Sequence, residues 1–90
     1  MPKYVIERRI AGAGNLTAAD LQGIAARSCA VLNELGPSVQ WLESQVTEDT
    51  VYCLYIAPDE TLLREHARRG GFPVDRIARV RATIDPTTAG

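Results

Sequence analysis

The chain has 90 residues, 46% of them hydrophobic and 23% charged, too apolar for a disordered segment and too short for two cores, so residues 1–90 are expected to form one domain. Ten Lys and Arg against eleven Asp and Glu leave a formal charge of −1, so no global field draws the chain to nucleic acid or to an anionic membrane surface. No apolar run approaches the ~20 residues that span a bilayer and the first residues lack the hydrophobic stretch of a signal peptide, so the chain is expected in the cytoplasm, with its two cysteines expected as reduced thiols.

β-branched and aromatic residues make Lys3 to Ile10 a first strand, broken by the AGAGN segment. That glycine pair is a loop, since it lacks the spacing of a dinucleotide fingerprint. Thr17 as N-cap, Asp20 three residues on and Leu16 facing Leu21 mark a helix start. The helix runs from Ala18 to Leu35 with the stripe Leu21, Ile24, Ala25, Ser28, Leu32 and Leu35, and Gly36-Pro37 stops it. Cys29, on the flank of that stripe, is expected in the core.

Val39 to Val46 and Val51 to Ala57 read as two strands of a hairpin joined by Thr47 to Thr50. Pro58-Asp59 caps a second helix whose inner face carries Leu62, Leu63, His66 and Ala67, while Glu60 can pair with Arg64 and Glu65 with Arg69 at four-residue spacing. Gly70-Gly71 ends it. A last strand is expected from Arg76 to Ile84, with a polar tail over residues 84–90.

The order βαββαβ is the ferredoxin-like α+β arrangement: a four-stranded antiparallel sheet, the first and third strands central, with two helices on one face. The other face is left open. A domain this small buries only roughly 60–65% of its unfolded surface, so a homodimer covering that face is expected.

Five blocks carry a resemblance: YVIER at Tyr4 to Arg8, GPSVQWLES from Gly36, YCLY at Tyr52 to Tyr55, REHARRGGFP around His66, and IDPTT near the end. Together they make the chain similar, over nearly its full length, to a small bacterial family catalogued as a domain of unknown function and described as nickel-binding proteins of ferredoxin-like fold. The resemblance implies a dimer that binds nickel(II) or another divalent transition metal, with no established turnover. Two positions depart from it: Gln45 where an aromatic is expected, and Ile56 where a carboxylate, a possible hard ligand, is common.

The residues themselves suggest where a metal could sit. His66 lies in the apolar stripe of the second helix and should point at the sheet, where one ring nitrogen can bind a metal while the other donates to a carboxylate, with Glu7 the carboxylate within reach. A hydrogen-bonded core histidine fits the same position equally well. Glu7 interrupts an apolar strand and must find a donor or face water. Cys53 and Tyr55, two apart on the third strand, share a face, and whether Glu7 shares it is undetermined by the period of two. Glu7, Cys53 and His66 are the candidate ligands, although a free cysteine is more often a small core residue. Tyr52 and Tyr55 are candidate pocket residues, and Trp41 and Tyr52 suit packing or an interface.

Three functions follow. The first is nickel or other divalent-metal binding for sequestration or sensing. The second is a small dimeric α+β barrel enzyme, of the monooxygenase or isomerase kind, with a His66/Glu7 acid-base pocket; it requires a cavity of some hundreds of Å³ with His66 at its wall. The third is a non-catalytic interaction module.

Overall fold

A computed structural model describes residues 1–90. Strand β1 (Lys3–Arg9) leads through a short 3-10 turn at Ala13–Asn15 into helix α1 (Ala18–Leu35). Strands β2 (Gln40–Val46) and β3 (Thr50–Ile56), helix α2 (Glu60–Gly70) and strand β4 (Arg76–Arg79) complete the fold. The sheet order is β2-β3-β1-β4, antiparallel throughout, so β1 and β3 are central as the βαββαβ order requires.

The helix boundaries follow from their caps. The Thr17 hydroxyl accepts from the Asp20 N–H at 3.1 Å and the Asp20 carboxylate accepts from the Thr17 N–H at 3.0 Å, a reciprocal box that also holds the Asp20 carboxyl below its usual range. Asp59 caps α2 by accepting from the Leu62 N–H at 3.1 Å. On the outside of α2, Glu65 takes both Arg68 and Arg69, which pull its carboxyl down to about 2, and Glu60 meets Arg64 at 3.7 Å.

Alternation along the central strands sorts inside from outside. Tyr4, Ile6 and Arg8 of β1 and Cys53 and Tyr55 of β3 are buried under the helices. Ile6 and Leu63 are fully buried at the centre of the core, where each aliphatic side chain contributes about 1.5–3 kcal/mol by leaving water. Val5, Glu7, Tyr52 and Leu54 occupy the other face, which no element of this chain covers. A bulge between Trp41 and Glu43 breaks the period of two in β2, so Trp41 and Ser44 both turn toward the helices and the Trp41 Nε1–H donates to Ser44 Oγ at 2.9 Å.

Two expectations need correction. The fourth strand ends at Arg79, not Ile84, because its partner β1 begins at Lys3; the Val80 N–H still donates to the Lys3 carbonyl at 2.8 Å, and the chain then runs past the end of its neighbour. Cys29 is exposed, because it sits about 100° around α1 from Ser28, and Ser28 and Val31 are the residues that α1 buries. No helix is long and apolar enough to cross a membrane.

Candidate functional site

The register of β1 on β3 decides which candidate residues meet. Glu7 lies opposite Tyr52 and Ile6 lies opposite Cys53, so Glu7 and Tyr52 share the open face while Cys53 and Tyr55 share the helix-covered one. Glu7, Cys53 and His66 therefore do not converge. The expected three-ligand set is corrected to two residues inside and one outside, and nowhere in the chain do three or more His, Cys, Asp and Glu side chains gather to hold a metal. Tyr52 is likewise separated from the internal pocket that Tyr55 helps to line.

Across the open face, Gln45, Tyr52, Glu7 and Arg76 form one row running through all four strands. The Glu7 carboxylate is partly exposed and its ion-pair partner is Arg76, whose Nε lies 3.9 Å away. A pair this open is worth little, which leaves the carboxylate free to change partners. The adjacent row, Glu43, Leu54, Val5 and Ala78, is mostly apolar.

Inside, His66 is fully buried, as its place in the α2 stripe predicts. Its partner is not Glu7, which lies beyond the sheet, but Ser28 of α1, whose Oγ is 3.1 Å from Nε2. Nδ1 has no partner. The ring packs between Tyr55 and Phe72, at centroid distances of 5.3 and 5.6 Å. Burial and then the neighbouring Arg8 charge lower the His66 pKa, so the imidazole is neutral at neutral pH.

Gly70 and Gly71 explain how Phe72 reaches this position. Gly71 takes a left-handed φ of 70°, which turns the chain back at the end of α2. A Cβ at Gly70 would overlap the Phe72 ring, so that position must be bare for the ring to fold under the helix.

Arg8 is the residue that sequence reasoning missed. It is 3% exposed. Its Nε–H donates to Cys53 Sγ at 3.4 Å, its Nη1 donates to the Pro73 carbonyl at 2.7 Å, and its Nη2 has no partner. The guanidinium lies over Phe72, 5.4 Å from the ring centroid, and Arg27 lies over the same ring at 4.8 Å. The signal was the alternation Tyr4, Ile6, Arg8, which puts this arginine on the buried side.

Beside Arg8 a cavity of about 240 Å³ opens between α1 and the sheet. Ile24, Ala25 and Ser28 wall it from α1, Trp41 from β2, and Cys53 and Tyr55 from β3. His66 is not in its lining, so the cavity does not offer the His66/Glu7 acid-base pocket that the enzyme reading requires. Burial raises the pKa of the Tyr55 phenol, against an opposing pull from Arg8, and the hydroxyl stays protonated.

Comparison with known proteins adds two findings. The family described as "Nickel responsive protein SCO4226-like" matches residues 4–80. The crystal structure of SCO4226 from Streptomyces coelicolor A3(2) resembles this fold with a TM-score of 0.77 at 20% sequence identity, over 91% of this chain and 99% of that one. No curated protein matches the sequence.

Proposed function

The chain belongs to the nickel-responsive SCO4226-like family, and from that membership we propose that it binds nickel(II), for sequestration or sensing, as a homodimer that meets the metal at its open sheet face. The observation that carries this reading is the position of Glu7. Of the three candidate ligands it alone sits where an ion from solution arrives, and a single loose ion pair to Arg76 is what it gives up. Carboxylate oxygen is an acceptable ligand for nickel, and affinity alone would favour copper over it, so selectivity rests on geometry and supply. Because no chain gathers three ligands by itself, the remaining ligands come from a second copy laid across the same face. The apolar row of Leu54, Val5 and Ala78 gives that copy a surface to bury.

The test is calorimetric titration of metal-free, tag-free, reduced protein with nickel, and with zinc, cobalt and copper for comparison, together with molar mass by light scattering. Wild type and His66→Gln are expected to bind nickel as dimers, whereas Glu7→Gln loses binding. Unchanged binding by Glu7→Gln would remove the open face from the proposal, and no binding by wild type would remove the metal.

A further inference from the structure

The cavity beside Arg8 is built for a ligand of different chemistry from a metal cation. Its wall is almost wholly apolar, and no Asp or Glu lines it. Into that wall the fold sets a guanidinium that is 3% exposed and lacks a counter-charge, with one nitrogen on a carbonyl, one on a thiol and the third on nothing. A buried cation without a partner is costly, and a guanidinium is matched by a carboxylate. Arg27, over the same Phe72 ring, adds positive charge at that end. Leu21 and Val46 line the cavity and also reach solvent, so it opens between the start of α1 and the end of β2.

We propose that this cavity binds a small monocarboxylate with an apolar body, its carboxylate held at the Arg8 side of the wall by the guanidinium that lacks a counter-charge and its body lying against Leu21, Ile24, Ala25 and Trp41. Size sets the class. A cavity of about 150 Å³ holds benzene, so the 240 Å³ here accommodates on the order of ten non-hydrogen atoms, the size of a medium-chain alkanoate or an arylalkanoate. The site is on the opposite side of the sheet from Glu7, so its occupancy does not depend on the nickel reading.

The test uses metal-free protein in chelator, titrated with octanoate and with 3-phenylpropionate, and with octan-1-ol as the uncharged control. Either carboxylate is expected to bind one per chain, at least tenfold more tightly than octan-1-ol, and to shift the Arg8 Nε–H resonance in the nitrogen-proton spectrum of wild type. Preference for octanoate assigns an alkyl body and preference for 3-phenylpropionate an aryl one. Arg8→Gln should weaken binding at least tenfold, and Ala25→Trp, which fills the cavity while keeping Arg8, should abolish it. Equal affinity for octanoate and octan-1-ol, or no binding by wild type at millimolar ligand, would overturn the proposal. Should Arg8→Gln fail to fold, an unmoved Arg8 Nε–H resonance in carboxylate-saturated wild type would overturn it as well.

Discussion

Ser28 and His66 share a hydrogen bond of 3.1 Å that ties α1 to α2 through two buried side chains. With Nδ1 already unpartnered, Ser28 is the one polar neighbour on which the imidazole relies. Ser28→Ala leaves the ring with no partner at either nitrogen and is expected to lower stability by about 1–3 kcal/mol. Urea unfolding followed by Trp41 fluorescence measures it, and a loss below about 0.5 kcal/mol would show that the bond contributes no more than an exposed one.

Acid should find the same histidine. The folded chain keeps His66 neutral, whereas the unfolded chain protonates it at its ordinary value of about 6.5. Below that pH the unfolded state binds a proton that the folded state refuses, so stability falls as pH drops and is level with respect to this group above it. The slope approaches ~1.4 kcal/mol per pH unit for one group. Unfolding free energies from pH 7.5 down to 5 should show it, and His66→Gln should flatten that part of the curve even if it lowers stability throughout.

Gly70 admits no side chain without moving Phe72. Gly70→Ala is expected to cost about 1–3 kcal/mol by displacing the ring from its place against His66 and Arg8. Pairing it with Phe72→Leu should recover part of the loss, because the smaller side chain gives way to the new methyl. A double mutant no more stable than the sum of the two singles would remove the clash as the cause.

The two thiols should differ in reactivity. Cys29 is exposed on α1, while Cys53 is buried behind Arg8. A thiol reagent should modify one equivalent rapidly in native protein and the second far more slowly, with Cys29→Ser removing the fast phase. Equally fast modification of both would contradict the burial of Cys53 in the cavity wall.

Much of the fold was legible because its signals are local. The Thr17-Asp20 box, the Asp59 cap and the glycines after each helix are short-range patterns, and the structure keeps them at the expected residues. The length of β4 was not, since it depends on where β1 begins, 76 positions earlier in the chain than Arg79. For the site, the period of two separates Glu7 from Arg8 but does not say which faces inward. The stripe Tyr4, Ile6 on β1 and Val51, Cys53, Tyr55 on β3 carries that information once the register is known, and the register is a tertiary fact. The α2 stripe is enough to turn His66 toward the sheet, but its partner is not legible locally because Ser28 lies 38 residues away on another helix.

Glu7 and Arg8 are consecutive residues whose side chains stand in separate compartments, one on the open sheet face and one beneath the helices. The backbone between them is a partition one peptide thick, and no side chain crosses it. A substitution that retunes what the outer surface meets leaves the lining of the interior untouched, and the reverse holds as well. Descendants of one ancestor can therefore diverge in either compartment independently, which makes the lining of each, rather than overall similarity, the feature to compare between them.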